Sequence, residues 1–135
     1  MSDLPSRPIR QLVYRSISAN TGPALIQDMA DILAVSRTNN GIEGISGILL
    51  AGGGRFIQVL EGSSESVELV FSWIQADRRH SDLTIVNDDL VERRAFGSWT
   101  MANLDHDDRE QVAFRLDRFL MGAEDHVREA FAGSI

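Results

Sequence analysis

The chain contains neither cysteine nor lysine. Without cysteine there can be no disulfide, thiolate nucleophile, Cys-type zinc site or iron–sulfur cluster. Without lysine all 13 basic residues are arginine, which excludes Schiff-base chemistry and a P-loop lysine. Long apolar runs are missing too: no stretch approaches the roughly 18 residues of a membrane span, and residues 1–10 lack the apolar core of a signal peptide, so a cytoplasmic location without membrane contact is expected. Positive charge is scarce, with 13 basic residues against 20 acidic and a formal net charge of −7. Nucleic-acid binding relies on neutralising phosphates, so nucleic acid is not an expected partner. What is present, 135 residues at 43% hydrophobic and 24% charged, suits one ordinary globular domain with one core.

Residues 9–18 read as a strand carrying the only tyrosine, Tyr14, and end in the turn-forming Ala19-Asn20-Thr21-Gly22. Pro23 suits the first turn of a helix, and Leu25, Met29, Ile32, Leu33 and Val35 recur at helical spacing through residues 24–38. Residues 45–51 and 55–60 are apolar runs separated by Gly52-Gly53-Gly54, the pattern of a hairpin. Val67, Val70, Phe71 and Ile74 mark a second helix, on which Trp73 is expected to pack. Glu65 and Glu68 fall in its first turn and Arg78, Arg79 and His80 at its end, as the helix dipole favours. Residues 83–86 and 96–104 are two further strands, with Asn87-Asp88-Asp89 as a polar turn after the first.

This order predicts an α+β, ferredoxin-like β-α-β-β-α-β sheet with an added fifth strand and both helices on one face. Val112, Leu116 and Phe119 form a helical stripe within residues 107–119, and residues 123–131 read as a second short helix. Apolar strand residues on the other face need cover, so this extension is expected to lie there, a subunit contact being the other reading. Without repeats or linkers, residues 1–104 are the main domain and 105–135 a helical extension of the same compact unit.

Searches for catalytic motifs mostly fail. His80, His106 and His126 lie in separate segments without i,i+4 spacing and read as surface residues, so no metal is expected. Asp105-His106-Asp107-Asp108 lacks the alternation of a calcium loop and reads as a solvated turn and helix start. The glycines at 41, 44 and 47 precede a strand instead of opening a helix, which weakens a phosphate-cradle reading.

One constellation stands out: Tyr14 on the first strand, Asn40 at the end of the first helix, and Gln58 within the otherwise apolar Phe56-Ile57-Gln58-Val59-Leu60. A buried amide without a hydrogen bond costs about 1–3 kcal/mol, so Gln58 needs a partner. The predicted topology makes the first and third strands central neighbours, within reach for Tyr14 and Gln58. A purely structural Tyr14–Gln58 hydrogen bond is the plain alternative to a functional pair.

Over residues 9–102 the chain resembles the BLUF family, blue-light receptors that bind flavin. The matching pieces, in order, are Leu12-Val13-Tyr14-Arg15-Ser16, Ser36-Arg37-Thr38-Asn39-Asn40, Gly44-Ile45-Ser46-Gly47-Ile48-Leu49, Arg55-Phe56-Ile57-Gln58-Val59-Leu60-Glu61-Gly62, Asp77-Arg78-Arg79-His80, and Arg93-Arg94 followed by Phe96-Gly97-Ser98-Trp99-Thr100-Met101. The resemblance implies FAD, with FMN or riboflavin as other flavins of the same class, lying between the two helices. It assigns Asn40 and Asn39 to the carbonyl edge, Ile32, Leu33 and Met29 to ring packing, and Arg79 and His80 to the ring or ribityl chain. A basic C-terminal turn serving the helix dipole is the alternative for Arg79.

The implied photochemistry starts with electron and proton transfer from Tyr14 to the excited flavin, followed by rotation or tautomerisation of Gln58. The resemblance also makes Trp99 or Met101 the signal-carrying residue near the flavin, with a Trp99 that merely covers the sheet as the alternative. It places the chain in the short class, whose output passes to a separate protein effector or through a homo-oligomer, without enzyme activity. The competing reading is a small ferredoxin-like, acylphosphatase-like hydrolase in which an arginine and an asparagine hold a phosphate.

Overall fold

Three strands are arranged around β1 (Ile9–Ser18). The computed structural model describes residues 8–19, 44–52, 54–97 and 109–132, together with Ala24, Gln27, Asp28 and Asp31 as separate helical positions within the predicted first helix. β2 (Ser46–Gly52) and β3 (Arg55–Gly62) form the expected hairpin. Its turn holds Gly54 at φ +76, a left-handed conformation that costs an L side chain roughly 1–2 kcal/mol and glycine almost nothing. β3 lies antiparallel to β1, and β4 (His80–Val91) runs antiparallel along the other side of β1, giving the order β2-β3-β1-β4. α1 (Ser64–Gln75) joins β3 to β4, and α2 (Arg109–Met121) and α3 (Asp125–Ala132) follow. The fold is ferredoxin-like, with β1 and β3 central.

Strand alternation sends Leu12 and Tyr14 to one face and Val13 to the other. On the first face Leu12, Tyr14, Leu49, Phe56 and Leu60 pack against Val67, Val70 and Phe71 of α1. On the second, Val13, Ile48, Ile57 and Val59 pack with Phe96 and with Val112, Leu116, Val127 and Phe131 of α2 and α3. The C-terminal extension therefore covers the free sheet face, as the apolar strand residues there demanded.

Several local expectations are corrected. The strand read as residues 83–86 runs from His80 to Val91, straight through the supposed turn at Asn87-Asp88-Asp89. Arg10 grips the Asp88 carboxylate with Nε at 2.9 Å and Nη2 at 2.8 Å, which holds these polar residues in register with β1. The ladder absorbs its irregularities nearby, where Asp82 adopts φ 51 beside a register shift between Arg15 and Ile17, a conformation that Asp tolerates better than most residues.

α1 starts with the Ser63 hydroxyl accepting the Ser66 N–H at 3.2 Å, and its first turn holds Glu65 but not Glu68. It ends at Gln75 with Ala76 as cap, so Arg78, Arg79 and His80 lie outside its last turn. The Asp77 carboxylate takes the Arg79 N–H at 2.9 Å and diverts the backbone from the helix, and His80 already opens β4. Trp73 does not pack inward: it is 44% exposed. Of the predicted fifth strand, Phe96 and Gly97 form a bend and turn, and residues 98–104 lie outside the described residues.

Candidate functional site

Tyr14 and Gln58 are direct cross-strand partners on the two central strands, both facing α1. Both are buried, at 3% and 1% exposure, and the Tyr14 hydroxyl donates to Gln58 Oε1. That bond sets the amide's orientation, with oxygen toward the phenol and the two N–H groups of Nε2 at its other end. The pair lies among Leu49, Phe56 and Phe71, the Phe71 ring centroid being 5.7 Å from that of Tyr14.

Burial pushes the Tyr14 phenol well above its ordinary value of about 10, and the negative charge of Asp77 adds to the rise. The protonated form is thus the one the fold favours, and the stability it lends is fully present below pH 10 and is lost as pH rises from there toward the raised folded value. With one tyrosine in the chain, phenolate absorbance reports this group alone. Alkaline titration should show no phenolate at pH 10 while the protein stays folded, with stability falling by up to about 1.4 kcal/mol per pH unit above it. An ordinary tyrosine curve in the folded protein would contradict the buried placement.

His80 completes the wall beside the phenol, its ring centroid 6.3 Å from those of both Tyr14 and Phe56. Its Nε2 lies 2.7 Å from the carbonyl oxygen of Ile74 and its Nδ1 2.7 Å from Ser16 Oγ. A carbonyl only accepts, so Nε2 carries a proton, and in the neutral ring Ser16 donates to Nδ1. His80 is therefore a part-buried tie between β1 and the end of α1, not a surface residue. Arg79 makes a forked pair with Asp77, its Nε 2.9 Å from Oδ1 and 3.1 Å from Oδ2. The Arg79 fork holds the Asp77 carboxyl below the usual range, and Asp77 raises the guanidinium in turn.

The structure thus brings Tyr14, Gln58 and His80 together and places Arg79 next to them. Ile32, Asn39, Asn40, Trp99 and Met101 lie outside the described residues, as does His106. The described residues suit a flavin edge, which presents both acceptors and a donor. Gln58 carries both kinds of group at one buried position, with a phenol on one side and apolar residues around it.

Sequence reasoning passed over Glu61, which is fully buried on the opposite face of β3. The available signal was its place two residues after Val59, on the face that the C-terminal stripe was expected to cover.

Residues 9–102 match the family model BLUF, sensors of blue-light using FAD. The chain is similar to photoactivated adenylate cyclase subunit beta of Euglena gracilis, 32% identical over 93 residues that make up 69% of this chain and 11% of that protein. It is also similar to the blue light- and temperature-regulated antirepressor BluF of Escherichia coli strain K12, 30% identical over 94 residues, 70% of this chain and 23% of that one. The match thus spans about a tenth of the cyclase subunit and a quarter of the antirepressor. Among solved structures, the dark state of BlrB, a BLUF protein, superposes with a TM-score of 0.69 at 28% identity and 92% coverage of both chains. The photo-activated state of BlsA does so with a TM-score of 0.70 at 27% identity and 91% coverage of both. With the family model matched across the sheet and the Tyr14–Gln58 pair, the chain belongs to the BLUF family and is a flavin-using sensor of blue light.

Proposed function

We propose that Tyr14 and Gln58 are the photoactive pair of this sensor and that its signal passes to a separate protein effector or through a homo-oligomer, with no catalytic turnover of its own. The observation that carries this reading is the buried hydrogen bond from the Tyr14 hydroxyl to Gln58 Oε1. A flavin, when bound, supplies the blue-light absorption and the electron-accepting power. Tyr14 enters as a neutral phenol and gives up one electron from its ring and one proton from Oη. Without that proton Tyr14 no longer donates to Gln58 Oε1, and the amide is free to present its N–H end instead, by turning about its broad terminal torsion or by tautomerising. The electron and proton then return to Tyr14, so nothing is consumed, and the rearranged amide remains as the stored signal.

Asn39, Asn40 and Ile32 join Tyr14, Gln58, Arg79 and His80 around the flavin in this proposal, on the strength of their places in the family motif. Asn40→Ala should weaken flavin binding by about 1–3 kcal/mol, roughly five- to 150-fold in Kd. Titration of apoprotein with FAD measures this, and unchanged affinity would move the anchor to Asn39. The hydrolase alternative gains nothing from the arginine beside the site, because the Arg79 fork is filled by Asp77. Trp99 and Met101 remain the proposed relay toward the effector. Flavin-loaded protein should show a reversible red shift under blue light, and a colourless protein that hydrolyses acyl phosphates would support the alternative.

A further inference from the structure

Glu61 is fully buried, and the photochemical proposal does not use it. Its carboxylate is surrounded by donors from three parts of the chain. Oε2 accepts from Gln11 Nε2 at 2.9 Å and from the Ala95 N–H at 2.7 Å. Oε1 accepts from the Phe96 N–H at 2.8 Å and from Ser46 Oγ at 3.3 Å. Arg94 closes the arrangement, its Nη1 donating to the Glu61 carbonyl oxygen at 3.0 Å and to Ser46 Oγ at 2.9 Å. The Ala95 and Phe96 amides are thus tied to β3 through this one side chain, while Arg94 reaches the Glu61 carbonyl and Ser46.

The placement connects two faces. Gln58 and Glu61 are three residues apart on β3, so they point to opposite sides of the sheet. Gln58 faces Tyr14 and α1; Glu61 faces the side covered by α2 and α3. Phe96, whose N–H Glu61 holds, is fully buried, and its ring lies 5.4 Å from that of Phe119. Phe119 in turn lies 5.8 Å from Phe131 on α3. A continuous path of packed and hydrogen-bonded groups runs from the photoactive amide along β3, through the Glu61 carboxylate and the 95–96 backbone, to both C-terminal helices.

We infer that Glu61 is a positioning residue that carries the rearrangement at Gln58 through the sheet to α2 and α3 by holding the Ala95 and Phe96 amides. This rests on the photosensor reading. A carboxylate suits the position because its nearest neighbours are N–H groups and it offers only acceptors; an amide of the same size would turn an NH₂ against one of them.

The test is Glu61→Gln in the flavin-loaded chain, followed by absorption and residue-resolved hydrogen exchange in darkness and under blue light. In the wild type, amides 95 and 96 should be protected in the dark, and illumination should change exchange in α2 and α3. In Glu61→Gln the red shift should persist, exchange at 95 and 96 should be at least about tenfold faster in the dark, and the light response of α2 and α3 should vanish. Wild-type protection at 95 and 96, or a retained helix response, would overturn the inference. Should Glu61→Gln fail to fold, Ser46→Ala removes the Ser46 contacts with Glu61 and Arg94 and leaves both backbone contacts. It should accelerate exchange at 95 and 96 by a smaller factor and weaken the helix response, and no change in either would also overturn the inference. A wild type without a red shift would sink the photosensor reading instead, while dark exchange at 95 and 96 would still decide what Glu61 holds.

Discussion

Gln58→Leu should fold, bind flavin and absorb blue light, yet show no lit-state red shift. Leucine keeps approximate volume and removes every donor and acceptor, so no group remains whose orientation can store the signal. The position is 1% exposed and packed within the central strands, where an apolar side chain of similar size suits the neighbouring Leu49 and Phe56. The cost falls on Tyr14, whose hydroxyl loses its acceptor, about 1–3 kcal/mol for a buried donor left unmet. The dark spectrum should change as well. Light-minus-dark absorption and carbonyl-region infrared spectra measure the outcome, and a shift of wild-type size and lifetime would show that Gln58 is not the switch. Glutamate here is a milder change, because burial raises a carboxyl pKa and a protonated side chain can both donate and accept.

Tyr14→Phe should abolish the photocycle just as completely by acting one step earlier. The ring keeps its volume and its contact with Phe71, 5.7 Å between centroids, so fold and flavin binding should survive. What disappears is the phenolic proton and the hydrogen bond that the Tyr14 hydroxyl donates to Gln58 Oε1. A phenyl ring without a hydroxyl has no proton to release alongside an electron, so the amide is never freed. Bound flavin, measured by its absorbance after gel filtration, should match the wild type while the reversible shift is absent. A normal photocycle in Tyr14→Phe would reduce the pair to a structural hydrogen bond.

The pairing of Tyr14 with Gln58 was legible because it depends on strand alternation and on a helix–hairpin–helix order that leaves few topologies. The cover provided by Val112 and Leu116 was legible for a similar reason: apolar strand residues on a face without helices must be buried by something. What escaped reading depends on side-chain contacts that the local pattern does not show. Asn87-Asp88-Asp89 has the local chemistry of a turn, yet it pairs with residues 11–13 of β1, and Arg10, 78 residues away from Asp88, grips that carboxylate. Arg78, Arg79 and His80 look like a helix end until Asp77 captures the Arg79 N–H. Glu61 reads as the polar end of an apolar run; alternation places it on the covered face, but the donors that satisfy it, Ala95 and Phe96, return to it across 34 and 35 residues.

The central claim is that light rearranges hydrogen bonds around a flavin without consuming anything. Its most direct test is the absorption spectrum of the flavin-loaded chain before, during and after blue illumination, without added reductant. The account predicts a red shift of the whole flavin band that keeps its intensity, reverts in darkness and repeats over many cycles. A spectrum that does not move, or that bleaches as flavin becomes permanently reduced, would contradict it.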